Sequence, residues 1–408
     1  MEKWPSEWST WNCSRRQFIR AGALGLVALA LPVLSVPAIG QQVRYGFIRP
    51  RPASYFTPLP DGMVRCELCP HNCEVLDGER GECGVRENRG GRYYTLAYGN
   101  PCAVHIDPIE KKPLFHILPG SASYSIATAG CNLHCKFCQN WEISQVRPED
   151  TYNFDFPPEA IVKAAQETNC PSIAHTYVEP IIFYEYMLEV GRLARQVGIL
   201  NVCHSAGYIN PKPLEALCEY LDAACIDLKA FTDDFYRNLV GGSLAPVLAS
   251  LKTLRRRQVH LELVNLIIPQ FNDDPKDLKK MCIWIRDELG PLTPLHFSRF
   301  YPLYKMRNHF PTPVATLERA RQTALEAGLK YVYIGNVREN PAENTYCHNC
   351  GKLIIPRRGY MIGEVKMKDG ACAFCGTKIP GIWAVPKIHA KMNGGQRKTT
   401  LGRGGQGS

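Results

Sequence analysis

The stretch Ser123-Tyr124-Ser125-Ile126-Ala127-Thr128-Ala129-Gly130-Cys131-Asn132-Leu133-His134-Cys135-Lys136-Phe137-Cys138 decides how the chain is read. Its first half is a short run of small, aromatic and β-branched residues that stops at a glycine, the pattern of a strand running into a loop. Its second half sets Cys131, Cys135 and Cys138 at C-x3-C-x2-C spacing. Three thiolates can hold three irons of a [4Fe-4S] cube and leave the fourth iron open to a substrate or cofactor. The isolated spacing also suits a zinc site, so its place directly after a strand carries much of the argument.

Six more strand-like runs follow, at residues 172–178, 201–208, 223–231, 260–269, 295–301 and 331–334. Each is short and bounded by Gly, Pro, Asn or Asp. Between them lie stretches with apolar residues at three- and four-residue intervals, including 183–197, 213–221, 244–257, 275–289 and 314–327. Such alternation predicts parallel β/α units, an α/β fold forming an open or partial (β/α) TIM-type barrel over residues 101–340. Its chemistry would gather at the C-terminal ends of the strands.

Phe137 before the last cysteine and Gln139-Asn140-Trp141 after it make the loop resemble the signature of the radical S-adenosylmethionine (SAM) superfamily. Residues 101–338 resemble most the radical SAM proteins of the AmmeMemoRadiSam group, relatives of the pyruvate formate-lyase-activating enzymes. The strings that carry this are Asp107-Pro108-Ile109-Glu110-Lys111-Lys112-Pro113-Leu114-Phe115-His116 and His175-Thr176-Tyr177-Val178-Glu179-Pro180. The resemblance implies a radical SAM barrel and a cluster whose open iron takes the amino and carboxylate groups of SAM. Reduction of that complex would release a 5′-deoxyadenosyl radical, which abstracts hydrogen from a substrate, a protein among the candidates. It also implies a low-potential electron donor as partner.

By the same resemblance Glu179 is expected to hold the SAM ammonium, although Thr176-Tyr177-Val178 stand where the activating enzymes carry glycines. Ser205 and Gly207 would approach the SAM ribose or methionine, and Asp227 with Lys229 would sit near cofactor or substrate. Asp227 and Lys229 are two residues apart and share a strand face, so an ion pair in a polar rim is an equal expectation. His296 is expected on the cofactor side of the same rim and Arg299 as a binder of an anionic group; their odd separation points them to opposite faces. A glycyl-radical activase is the alternative enzyme reading, and an iron–sulfur electron-transfer module without catalysis is the alternative outside enzymes.

Eleven of the 18 cysteines fall into three groups of metal-ligand spacing. A chain of 408 residues can bury a core, which argues against a disulfide scaffold. Cys347, Cys350, Cys372 and Cys375 form two C-x2-C-G knuckles in a zinc-ribbon-like module at residues 341–386, where a structural Zn²⁺ is favoured over a rubredoxin-like iron. Cys66, Cys69, Cys73 and Cys83, with His71 as a spare ligand, lie in a Cys-rich segment at 62–100 where zinc is favoured and a second iron–sulfur cluster is the alternative.

Residues 1–40 carry Ser14-Arg15-Arg16-Gln17-Phe18-Ile19, an apolar run and a Val36-Pro37-Ala38 cleavage site, resembling a twin-arginine export signal. Export to the periplasm or cell envelope is the expectation, with a cytoplasmic location as the alternative, and with membrane contact through this segment if it stays uncleaved. Folded export suits a protein that acquires its cluster while folding. A Pro-rich linker at 41–61 and a Gly-rich basic tail at 387–408 complete the chain. Much of the net charge of +10 sits in the leader and tail, so no nucleic-acid partner is expected.

Overall fold

The computed structural model describes residues 42–385; the expected export signal and basic tail lie outside them. The centre is an eight-stranded sheet of β1 (Ala103–Pro108), β2 (Ala122–Ala127), β3 (Ser172–His175), β4 (Leu200–Ser205), β5 (Ala223–Asp227), β6 (His260–Ile267), β7 (Leu295–Arg299) and β8 (Val332–Gly335). Each strand pairs with its neighbour in the chain, in the order β8-β7-β6-β5-β4-β3-β2-β1. Strands β2 to β8 are parallel, while β1 joins the edge antiparallel, with Ala103 opposite Ala127. The sheet is open, since the two edge strands do not pair with each other.

Helices α1 (Pro158–Glu167), α2 (Tyr184–Gln196), α3 (Pro211–Leu217), α4 (Leu244–Arg256), α5 (Pro275–Trp284) and α6 (Val314–Glu326) connect the parallel strands. Their starts are written locally: at α5 the Asp274 carboxylate accepts the N–H groups of Lys276 and Asp277, and Pro275 occupies the first turn. Strand alternation divides the sheet into two buried faces. Ile173, Cys203, Ile226 and Leu263 belong to one core, with buried residues of the helices. Ala174, Val202, Cys225 and Val264 belong to the other. Burial on both sides is the usual condition of parallel strands.

The second face is covered by residues 109–118. Ile109, Leu114 and Ile117 are fully buried against it, each contributing about 1.5–3 kcal/mol. This segment is fastened to the C-terminal module, because Ile382 N–H donates to the His116 carbonyl and Leu118 N–H to the Ile382 carbonyl, both at 2.8 Å.

Residues expected to form a linker instead supply strands. Val43–Tyr45 pairs with Tyr152–Phe154, Arg51–Pro52 with Arg92–Thr95, and Phe56–Pro58 with Val64–Cys66. Proline in these positions is compatible with short edge strands, whose outward N–H side needs no partner. No described helix is long and apolar enough to cross a membrane.

Candidate active site

The three-cysteine loop leaves the C-terminal end of β2 through Gly130, whose φ of +96° suits glycine. The loop is then pinned from two sides. His134 and Lys136 donate backbone N–H groups to the carbonyls of Val240 and Leu239 at 2.8 and 2.9 Å. The Asn132 side chain donates to the Tyr208 carbonyl at 2.9 Å. Cys135 and Phe137 are buried, while Cys131 and Cys138 are half-buried, and Cys138 Sγ lies 3.2 Å from the Ser144 hydroxyl.

Burial pushes the Cys131 thiol well up, and the nearby Glu179 carboxylate and the other two thiols add to it. Cys135 is pushed up to about 11 by burial, with Lys229 acting the other way. A bound cationic centre would supply the charge that these thiolates lack. The three sulfurs do not gather within 4.8 Å of one another, the spacing at which a set of thiols could close on one ion. Three separated thiols from a single loop fit a cluster that takes one cysteine per iron.

Glu179, Ser205 and Gly207 come together where β3 and β4 end. Glu179 is buried, and its carboxylate accepts the Ser205 hydroxyl and the Ala206 N–H, each at 2.6 Å, and the Ile181 N–H at 3.3 Å. Gly207 N–H donates to the Ser205 hydroxyl oxygen at 2.9 Å. Burial pushes the Glu179 carboxyl up, against the pull of these donors. Glu179 therefore ties two strand ends together beside Cys131.

Asp227 and Lys229 pair at 2.9 Å, and His204 Nε2 meets the other Asp227 oxygen at 2.8 Å. Burial alone would raise Asp227, but Lys229 and His204 hold it below the usual carboxylate range. Lys229 Nζ stands 5.8 Å from the Phe137 ring centroid, which sets it against the cysteine loop.

His296 is placed otherwise. It is the second residue of β7, so it lies near the start of that strand rather than at the rim where it was expected. It is buried, bonds Glu262 at 2.8 Å and stacks on Tyr333 with centroids 4.9 Å apart. Glu262 also accepts the N–H groups of Phe115 and His116, which makes this a network holding the covering segment. Arg299 ends β7, and its guanidinium donates to the Thr312 carbonyl and the Tyr301 hydroxyl.

Three residues near the loop escaped the sequence reading as a group. Lys112 is buried, with Nζ 2.5 Å from Asp107 and 4.5 Å from the Tyr177 ring centroid; the Tyr177 hydroxyl donates to Asp107 as well. Burial pushes Lys112 down to about 8, against the pull of Asp107. Asn140, two residues past Cys138, donates to the Tyr177 carbonyl at 2.6 Å. The available signal was a charged Asp-Lys-Lys pattern inside an otherwise apolar string.

The C-terminal cysteines form a compact set: the four sulfurs lie within 4.8 Å of one another, with Cys347 to Cys375 at 3.6 Å and Cys350 to Cys372 at 3.7 Å. Four thiolates around one tetrahedral ion at bonds of about 2.3 Å need separations of about 3.8 Å. Cys66, Cys69, Cys73 and Cys83 share one cavity but do not gather so closely. His71 bonds the Asn132 carbonyl through Nε2 at 2.7 Å, so one of its nitrogens is engaged in holding the cysteine loop. All seventeen described cysteines are free of disulfides.

A mostly parallel sheet with a three-thiol loop at its C-terminal edge defines the class: an α/β protein with a cysteine triad where the strands end. The Radical SAM superfamily profile matches residues 125–282. An uncharacterized protein of Methanocaldococcus jannaschii is 46% identical over 331 residues, 81% of this chain and 98% of that protein. A pyruvate formate-lyase-activating enzyme of Listeria monocytogenes is 26% identical over 197 residues, 45% of this chain and 78% of its own. Among solved structures, a radical SAM methyltransferase from Sphaerobacter thermophilus aligns with a TM-score of 0.42 at 13% identity, covering 75% of this chain and 81% of that one. The chain belongs to the radical SAM superfamily and is an enzyme; membership implies a [4Fe-4S] cluster and SAM.

Proposed function

We propose that the protein cleaves SAM reductively and uses the resulting radical to abstract hydrogen from a substrate, with a protein or peptide as the substrate class. The observation that carries this is the three-thiol loop at the C-terminal sheet edge, with Glu179 beside Cys131 and Lys229 beside Cys135. Cys131, Cys135 and Cys138 would hold the cluster, which with bound SAM supplies the 5′-deoxyadenosyl radical. Glu179, already oriented by Ser205 and Ala206, would receive the SAM ammonium, and Ser205 and Gly207 would line its approach. Asp227, fixed by Lys229 and His204, would orient the remainder of the cofactor or the substrate. Asp107, Lys112 and Tyr177 would position the loop from behind through Asn140.

The test is anaerobic reconstitution followed by SAM and dithionite, with 5′-deoxyadenosine measured by chromatography. Product above a Cys131→Ala control supports the reading; none above it rejects the reading.

A glycyl-radical activase is the narrower reading, favoured by the names of the Listeria relative and of an Escherichia coli relative, a pyruvate formate-lyase 1-activating enzyme 22% identical over 218 residues. A glycyl EPR signal raised in a partner protein would establish it. Structural Zn²⁺ is proposed for the C-terminal four cysteines, on their tetrahedral spacing. Export of the folded protein is proposed from residues 14–40 alone. A fusion of residues 1–45 to a reporter of folded transport, with Arg15→Lys and Arg16→Lys expected to silence it, tests that proposal.

A further inference from the structure

Cys66, Cys69, Cys73 and Cys83 converge from two hairpin-like segments. Cys66 ends the strand Val64–Cys66, and its N–H donates to the Cys73 carbonyl at 2.8 Å. Gly81 N–H bonds the Arg86 carbonyl at 3.1 Å and Gly84 N–H the Gly81 carbonyl at 2.9 Å, which fixes the turn that delivers Cys83. The four side chains line one cavity, together with Arg86 and Tyr93.

Two observations bear on what this cavity is for. The first is spacing. The C-terminal cysteines of the same chain draw together as a single tetrahedral ion requires, whereas these four, like the triad of the catalytic loop, do not. Backbone hydrogen bonds hold the segments that present them. The second is polarity. The Tyr93 hydroxyl and Arg86 Nε are buried on the cavity wall without a hydrogen-bond partner. The remainder of the Arg86 guanidinium is occupied by Glu185 and the Ser54 carbonyl, so Nε is the guanidinium donor left without a partner. Orphaned buried donors cost about 1–3 kcal/mol each unless something accepts from them. Inorganic sulfide and cysteine sulfur of an iron–sulfur centre are such acceptors, and hydrogen bonds of this kind set its potential.

We propose that Cys66, Cys69, Cys73 and Cys83 hold a second [4Fe-4S] cluster, closed on all four irons and distinct from the cluster of the Cys131 loop. The two sites adjoin: Asn132 of the catalytic loop lines the cavity, and Cys83 packs against Gly130. Closed coordination leaves no iron for SAM, so its chemistry is confined to holding or passing one electron.

The proposal rests on the radical SAM reading only for the identity of the neighbouring cluster, and its test does not use catalysis. Wild type and a Cys131→Ala, Cys135→Ala, Cys138→Ala variant are reconstituted anaerobically with iron and sulfide. Wild type should hold about eight acid-labile sulfides per chain and the variant about four, with a reduced EPR signal that SAM leaves unchanged. Neither zinc nor a mononuclear iron site contains acid-labile sulfide. A Cys69→Ala, Cys73→Ala variant should lose that signal and keep the one SAM perturbs. Wild type with only about four sulfides, all reporting to SAM, overturns the proposal whatever the variants do. Absence of 5′-deoxyadenosine with full sulfide content would reject the proposed activity and leave this site standing.

Discussion

The carbonyl oxygen of Cys83 stands 2.7 Å from the point where a Cβ on Gly130 would lie, and Val85 Cγ1 stands 2.6 Å from it. The N-terminal cysteine segment thus packs directly onto the backbone that launches the catalytic loop. Gly130→Ala meets both a collision and a positive φ, and is expected to destabilise the fold by about 3 kcal/mol or more. Urea unfolding checks this, with iron content of the reconstituted variant as a second readout. A change below about 0.5 kcal/mol would show that the two segments are not in register as described.

Glu179→Gln replaces a carboxylate oxygen that accepts the Ala206 N–H by a group that can carry donors of its own. On the proposed role, SAM affinity of the reconstituted protein should fall about tenfold or more, equivalent to about 1.4 kcal/mol, measured by calorimetric titration. Ser205→Ala removes one donor to the same carboxylate and should give a smaller loss.

Lys229→Met tests the Asp227 pairing. Asp227 is held below its ordinary value, so its contribution to stability is present above the unfolded-state value of about 3.9 and disappears as pH falls through the folded one. Removing Lys229 leaves His204 as the remaining partner and moves the folded-state value back towards the unfolded one, so the contribution itself shrinks. Stability measured from roughly pH 3 to 7 should show the variant less stable near neutrality and declining less steeply towards acid, so that the two profiles converge. Superimposable profiles would mean that Lys229 does not govern Asp227.

Glu262 is fully buried, and although burial alone would raise its pKa, His260 and His296 hold it well below the usual range. Its stabilisation is therefore present above about pH 4.3 and lost below it. Glu262→Gln should cost about 3 kcal/mol near neutrality, a gap that narrows in acid. An equal cost at all pH values would assign the effect to packing alone.

Cys372→Ser should remove the Zn²⁺ proposed for the C-terminal cysteines, counted by elemental analysis, and lower the melting temperature by on the order of 5 °C or more. Acid-labile sulfide should stay unchanged, because this set of thiols is sized for a single ion.

All seven parallel strands were legible in the sequence, because each is a run buried on both faces and bounded by turn residues. The edge strand Ala103–Pro108 was not: it carries His105, Asp107 and Pro108, and it stands outside the repeating β/α pattern. The helix Pro158–Glu167 was also missed, although the proline pair at its start and buried Ile161, Val162 and Ala165 give a usable signal. Cysteine spacing marked the C-terminal group whose four sulfurs the structure draws together, since residues close in sequence need little folding to meet. The start of β7 was legible at Leu295, which already put His296 one residue into the strand and away from the rim; the misplacement came from following the resemblance rather than the register. Lys112 with Tyr177 is a contact 65 residues apart that only the covering segment creates.

That covering segment also governs traffic. With helices against one face of the sheet and residues 109–118 filling the other, the proposed cofactor and substrate would both enter and leave by the C-terminal edge. Whatever seats last at such a blind end obstructs what arrived first, so departure runs in the reverse order of arrival. A bulky substrate would thereby keep a spent cofactor in place until it had itself let go.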